Sequence, residues 1–486
     1  MSSSRELTFY WHDYETFGAD PVRDRPAQFA GVRTDADLQI IDEPLVLYCR
    51  PADDFLPQPG ACLVTGITPQ LALEKGLPES QFISRVHAEL AQPGTCAVGY
   101  NSLRFDDEVT RHTLYRNFFD PYAREWQGDN SRWDIIDMLR TAFALRPEGI
   151  QWPLREDGSA SFRLEDLTAA NGIGHEAAHD ALADVHATIA LARLIRQRQP
   201  KLYEFVLANR DKNSVLAQLD VEGMKPLLHV SGMFGAERHN IGLIVPLARH
   251  PVNRNEIICY DLNADPAPLQ ALSGAELREL LYTRAEDMAH DSVRPGLKSV
   301  HVNRCPIVLP ARMASPEIAQ RLGLDGERCR RHLAMLQNYR QTESKAFNEK
   351  IREIYKKRTS AETVDPDLAL YSGGFFSDQD RRSMEAIRAA RPEELASQSW
   401  VFEDQRLPEM LFRYRARNYP QTLSSEERAQ WEEYRYQRLT DPAAGASICL
   451  EEFHTQIEAL QADSSLSEDK RQVLEDLLLY ADTLLA

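Results

Sequence analysis

The sequence predicts three folded parts in series: an α/β domain, a small β-barrel with helical insertions, and an all-helical C-terminal region. Three observations predict this. Short apolar strands alternate with helix-like segments up to residue 198; β-like runs separated by Asn, Asp, Pro and Gly clusters follow from Leu227; and from residue 356 the pattern turns almost wholly helical. The expected boundaries are 1–198, 199–355 and 356–486. A chain of 486 residues, 43% hydrophobic and 27% charged, has ample material for several cores and is not a disordered chain.

Composition narrows the functional classes. Seven cysteines (Cys49, Cys62, Cys96, Cys259, Cys305, Cys329, Cys449) are odd in number, scattered and without a C-x-x-C pair, which argues against a disulfide framework and a thiolate zinc site. A reducing cytoplasm is the expected location. The N-terminal MSSSRELTF shows no signal pattern, and no apolar run approaches a membrane span. A formal charge of −18 repels phosphate globally, so any nucleic-acid site must be local and basic.

The first element, Leu7 to Gly18 (LTFYWHDYETFG), reads as a buried strand because it is apolar and aromatic throughout. Side chains two apart on a strand share a face, so Asp13 and Glu15 point to one spot, while His12 and Tyr14 point the other way. Two buried carboxylates repel by about 4 kcal/mol at about 4 Å and an effective dielectric of about 20, unless a cation joins them. A metal site is the functional reading, a solvated strand end the plain one.

Strands are expected at Leu38–Ile41, Leu45–Tyr48 and Thr95–Gly99, with a helix at Glu79–Leu90. The last strand runs into GYNSLRFDDEV, where Asp106, Asp107 and Glu108 open an amphipathic helix. Acids favour a helix's first turn through its dipole, which suffices for Asp107 and Glu108. Asp106 sits nearest the turn and is the candidate third ligand. From Arg111 to Arg146 bases alternate with rings, a mixture suited to stacking on unpaired bases while Arg follows phosphates. Arg111 and Arg140 are the basic candidates; Tyr122 and Trp126, after Pro121, are the candidates for exposed stacking. FRLEDLTAANGI then predicts a short helix over 164–170 stopped by Asn171-Gly172. His179 precedes a long apolar helix carrying Asp184. Five residues apart, the two meet only if His179 lies in the loop before the helix; a surface histidine beside an N-cap Asp180 is the ordinary explanation of that pair.

Beyond RQRQPKLYEF, the runs LLHVSGMF, NIGLIVPLA, NEIICYDL and KSVHVNRCPIVL predict barrel strands, with a helix at Gly274–Tyr282. The C-terminal part shows a helix over Ser377–Ala390, a capping box from Ser424 to Glu427, and two final helices.

In chain order, D-x-E on a first strand, N-x3-F-D at a strand-to-helix turn and H-x4-D entering a last helix resemble the DEDDh superfamily of 3′-to-5′ exonucleases, which has an RNase H-like fold. The resemblance implies that Asp13, Glu15, Asp106 and Asp184 hold two Mg²⁺ ions, with Mn²⁺ able to substitute, and that His179 is the general base. Glu15, Thr16 and Phe17 would meet the terminal nucleotide; Phe17 departs from the superfamily's D-x-E-T-T. Two such ions, about 3.5 to 4 Å apart, clamp the attacking and leaving oxygens at phosphorus, and a neutral His is suited to accept the proton of the attacking water.

The resemblance extends over the whole chain. DYETFG, GYNSLRFDDEV, NSRWDIIDMLR, RPEGI, FRLEDLTAANGI, AHDALADV, MKPLLHVSGMFGA, HPVNRN, VHVNRCP, YSGGFFSD and FRYRARNYP are similar to the bacterial exodeoxyribonuclease I family. That implies an SH3-like barrel after the exonuclease domain and a processive single-stranded DNA exonuclease, releasing 5′-mononucleotides in DNA repair and recombination. It implies substrate contacts at Arg163, with Lys212, Asn255, Lys298, His301 and Asn303 as further candidates. It also implies binding of the acidic tail of single-stranded DNA-binding protein, for which Arg146 and Lys225 are candidates. A monomer is expected. The alternatives are an exoribonuclease of the same superfamily, a proofreading subunit, or a single-strand binding module without catalysis.

Overall fold

The computed structural model describes residues 7–175, 180–288, 292–357 and 365–485. It packs as two compact units that do not follow chain order: Met1–Ser131, His175–Ile189 and Ser360–Ala486 form one, and Arg132–Gly174 with Ala190–Thr359 the other.

The first unit is organised around β1, Thr8–Thr16. Antiparallel to it lies β2, Pro26–Thr34, which in turn pairs with antiparallel β3, Leu45–Tyr48. On the other side β4, Thr95–Gly99, runs parallel. The sheet order within this unit is β3-β2-β1-β4, and β5, Ser131–Asp134, begins at the residue that closes this stretch of the unit. The β1 and β2 register slips between Glu15 and Thr16, where Pro26 faces Thr16 without a backbone donor. Strand β2 escapes sequence reading because all nine of its positions are buried, so no alternation marks it. The strand expected at Leu38–Ile41 is instead a turn with one bridge, Ile40 to Thr34. There the Asp35 carboxylate accepts from the Asp37 and Gln39 amides and Leu38 takes φ 65°, so a side-chain turn outcompetes the ladder.

The core of this unit is completed from the far end of the chain. Phe17, Ala27, Phe55 and Cys62 pack with Phe453, Leu474, Leu477 and Tyr480. A second cluster joins Tyr115 and Phe118 to Met384, Ile387, Leu407 and Met410. Between them Arg417 reaches Asp54 and Asp367, each at 2.8 Å. The last helices are therefore part of the packing around β1.

The second unit holds an antiparallel sheet ordered β10-β6-β7-β8-β9, built from β6 (Leu227–Val230), β7 (Ile241–Arg249), β8 (Glu256–Asp261), β9 (Leu297–His301) and β10 (Ile307–Pro310). Val245, Leu247, Ile258 and Tyr260 pack against Leu336, Tyr339, Phe347 and Ile351 of the helices Gly326–Thr342 and Ser344–Ile354. Ile244, Ile257, Cys259 and Val300 pack with Val215 and Leu219. The helix Gly274–Tyr282 begins with a Ser273–Glu276 capping box. No helix among the described residues is long and apolar enough to cross a membrane, and all seven cysteines are free.

Candidate active site

Strand periodicity alone puts Asp13 and Glu15 on one face of β1. Asp184 joins them from the first turn of the helix Ala181–Arg198, and one oxygen from each of the three lies within 4.8 Å of the others. Asp180 caps that helix, accepting from the Ala183 amide at 3.1 Å. Gln28, opposite Glu15 on β2 and buried, accepts from the Ala181 amide at 3.2 Å and so ties the start of this helix to the sheet. Sequence reasoning missed Gln28, since nothing local marks a buried amide on an unrecognised strand.

Asp106 enters from the helix Asp106–Arg116, after a turn in which Asn101 takes the left-handed conformation at φ 59°. Its Oδ1 accepts from the Tyr14 amide at 3.0 Å, and its charge acts on both β1 carboxylates. Burial pushes Glu15 up to about 8, with Asp184, Asp106 and Asp180 adding to it. Burial likewise raises Asp13 well above the carboxylate range, reinforced by Asp106, Glu15 and Asp184. Neither Asp13 nor Glu15 makes an ion pair among the described residues. Burial and the neighbouring acids disfavour the charged forms of Asp13 and Glu15, a penalty that a bound cation offsets, and the donor set is oxygen-rich and suited to hard divalent ions.

The two neighbouring acids face elsewhere. Asp107 pairs with Arg124 at 2.5 Å, both only 2% exposed, and Glu108 pairs with Arg111 at 2.7 Å. His179 lies outside the described residues. His175, which the sequence reading passed over, has Nε2 at 2.5 Å from Asp184 Oδ1. A cleft of about 700 Å³ opens beside Glu15 and Thr16, lined also by Gln58, Val64 and Phe105.

Two of the expected substrate contacts are buried. Phe17 is 1% exposed and packs 6.0 Å from the Phe55 ring, because the residue after the β1 irregularity turns into the core that the C-terminal helices complete. Arg111 is 4% exposed and committed to Glu125 and Glu108 in ion pairs of 2.7 Å each. Thr16 is buried but lines the cleft, its hydroxyl donating to the Gly18 carbonyl at 2.6 Å. Tyr122 is half-buried and Trp126 is 64% exposed.

In the second unit, Arg140 pairs with Asp137 at 2.7 Å, and Arg163 is exposed, with Glu165 at 2.8 Å. Lys212 and Asn255 are brought together, Nζ donating to Oδ1 at 2.6 Å. Lys298 sits 3.8 Å over the Phe234 ring and His301 lies 3.5 Å from Glu256. The Asn303 side chain is exposed while its carbonyl accepts from Arg132 at 2.9 Å. Arg146 donates to the Leu145 carbonyl at 2.5 Å, and Lys225 is exposed.

Comparison with known proteins extends this description. Family models for an exonuclease, the exonuclease I SH3-like domain and the exonuclease I C-terminal domain match residues 10–192, 210–357 and 364–484. Exodeoxyribonuclease I of Escherichia coli K12 is 47% identical over 481 residues, 98% of each chain. A moderately thermophilic exonuclease I from Methylocaldum szegediense is 52% identical with a TM-score of 0.94, covering 99% of this chain and 100% of that one. The zinc-bound E. coli ExoI–ssDNA complex is 46% identical with a TM-score of 0.93 over the same shares. An SSB/exonuclease I structure with the inhibitor CFAM is 46% identical with a TM-score of 0.89, again over 99% and 100%. Matches of this extent in all three parts of the chain make it a member of the exodeoxyribonuclease I family.

Proposed function

We infer that the chain degrades single-stranded DNA processively from its 3′ end and releases 5′-mononucleotides by metal-dependent hydrolysis. The observation that carries this is the clustered group Asp13, Glu15 and Asp184, adjoined by Asp106, whose mutual repulsion a divalent cation relieves. The donor set fits divalent ions, and a relative of 46% identity is known with zinc and single-stranded DNA. When bound, two Mg²⁺ ions, or Mn²⁺ in their place, supply the charge that stabilises the attacking and leaving oxygens at phosphorus.

The residues do the rest. Asp13, Glu15, Asp106 and Asp184 hold the ions. His179 accepts the proton of the attacking water, a task for a side chain neutral near pH 7. The cleft beside Glu15 and Thr16 receives the terminal nucleotide. Tyr122 and Trp126 stack on unpaired bases, and Arg140, Arg163, Lys212, Asn255, Lys298, His301 and Asn303 follow the strand. Arg146 and Lys225 take the acidic tail of single-stranded DNA-binding protein, a reading supported by the SSB/exonuclease I relative. The chain works as a cytoplasmic monomer in three parts, 1–198, 199–355 and 356–486, and the matched family models support that division.

Mononucleotide release from a 3′-labelled single strand, with and without EDTA, tests the reading. Release abolished by EDTA is the expected result. Binding without release in Mg²⁺ would make the chain a binding module, and preferential release from RNA of the same sequence would make it an exoribonuclease.

A further inference from the structure

The four acids of the site reach it in two ways. Asp13 and Glu15 share a face through the pleat of β1. Asp106 and Asp184 come from the first turns of helices, where χ1 and χ2 can turn a carboxylate, and on each of them Oδ1 is held by a partner. For Asp106 the donor is the Tyr14 amide, at 3.0 Å. For Asp184 the partner is a side chain, His175, whose Nε2 stands 2.5 Å from Oδ1. The His175 side chain is 5% exposed and that of Asp184 17%, so water competes little for the contact.

We propose that His175 is a positioning residue for the metal-dependent reaction: it donates Nε2–H to Oδ1 of Asp184 and so holds this carboxylate with its other oxygen available to an ion. The proposal rests on the metal reading above. An ionised carboxylate only accepts hydrogen bonds, so Nε2, the nitrogen facing Asp184, already carries its proton and is not the one to receive another. That separates His175 from the base assigned to His179. Nor does His175 belong to the group whose ligand atoms lie within 4.8 Å of one another, which among the described residues is Asp13, Glu15 and Asp184. Its effect passes through Asp184.

Asp184 needs such a partner because it stands among like charges, being one of the acids that raise Glu15 and Asp13. On an unrestrained side chain that repulsion turns the carboxylate away from the other two. A donor on Oδ1 resists the turn and leaves less side-chain freedom to lose when an ion binds. Hydrogen-bond partners behind metal ligands typically carry roughly 10- to 100-fold in metal affinity.

The test titrates Mn²⁺ by calorimetry into the full chain, stripped of metal and without DNA, with folding checked by circular dichroism. His175→Phe and His175→Leu fill the space without a donor, and either serves if the other fails to fold; His175→Gln keeps an N–H at similar reach. The donor-free variants are expected to bind Mn²⁺ roughly 10- to 100-fold more weakly, and His175→Gln near wild type. Their mononucleotide release should be slow at low Mn²⁺ and recover at saturating Mn²⁺. In an Asp184→Ala background, removing the donor should change Mn²⁺ affinity little, since a residue acting through Asp184 has nothing left to act on. Wild-type Mn²⁺ affinity in a folded donor-free variant would overturn the proposal. So would an equal loss in the Asp184→Ala background, which marks a merely structural role, or a His175→Gln variant as weak as the donor-free ones. Release that stays slow at saturating Mn²⁺ with Mn²⁺ affinity unchanged would give His175 to proton transfer and overturn it too. Absence of Mn²⁺ binding by the wild type would overturn the metal reading, and the proposal with it.

Discussion

Asp106 and Asp107 are consecutive, both buried, and expected to fail in opposite ways when replaced. Asp106 adjoins the acid cluster, so Asp106→Ala should abolish nucleotide release while the protein folds and still binds a single strand. Asp107 faces Arg124 at 2.5 Å with both residues 2% exposed, and its truncation leaves a buried guanidinium without its counter-charge. Breaking a buried pair from one side costs about 3–5 kcal/mol. For a unit of this size that corresponds to a Tm lower by roughly 5–9 °C. The assay is paired: thermal unfolding by circular dichroism, and mononucleotide release at a temperature where the variant is folded. Asp107→Ala should unfold early yet cleave at near wild-type rate when folded, and Asp107→Ala with Arg124→Met should recover much of the Tm, since removing both charges removes the stranded one. An unchanged Tm for Asp107→Ala would refute the burial argument. Equal loss of activity in folded Asp106→Ala and Asp107→Ala would refute the division of roles between them.

Four further outcomes are expected. His179→Ala should lower the rate by roughly 10²- to 10⁴-fold, the usual contribution of a general base, and leave Mn²⁺ affinity by calorimetry near wild type; a large loss of metal binding would reassign it as a ligand. Mn²⁺ should raise the Tm of the wild type and EDTA should remove the gain, because the ion relieves the repulsion among Asp13, Glu15 and Asp184; the gain should vanish in Asp13→Asn, and its persistence there would refute the site. Burial alone would raise Glu79, but Arg116 and Arg25 outweigh it and hold it at about 2, against 4.5 ordinarily. Its contribution, on the order of 3 kcal/mol, is present above the unfolded value and lost as pH falls from about 4.5 through about 2. Urea unfolding of Glu79→Gln and wild type should therefore differ most above pH 5 and converge near pH 2; a constant difference would refute the linkage. Finally, a fragment ending at Arg198 should fail to fold, because it exposes Phe17 and Phe55 and leaves Asp54 without Arg417 and Arg438; a cooperative thermal transition in that fragment would contradict this.

Local pattern carried much of this molecule. Period-two alternation determines that Asp13 and Glu15 share a face, and apolar spacing with caps places Leu45–Tyr48, Glu79–Leu90, Thr95–Gly99 and Gly274–Tyr282 at the observed residues. The Ser424–Glu427 capping box likewise forms as its spacing predicts. Such features depend on neighbours a few residues away and are written in any short window. Strand β2 was not legible because burial on both faces erases the period. The fates of Phe17 and Arg111 were not legible for a different reason. An aromatic beside a catalytic strand and an arginine among rings look the same whether they face a ligand or the core. Phe453 and Leu477 decide the first, more than four hundred residues downstream, and Glu125 decides the second. The same long reach explains why the C-terminal helices belong to the core around β1. The sequence determined which residue types were available and how each short segment folds; which of them would be buried together was decided by packing, where burial of apolar surface and pairing of buried charge act across any separation along the chain.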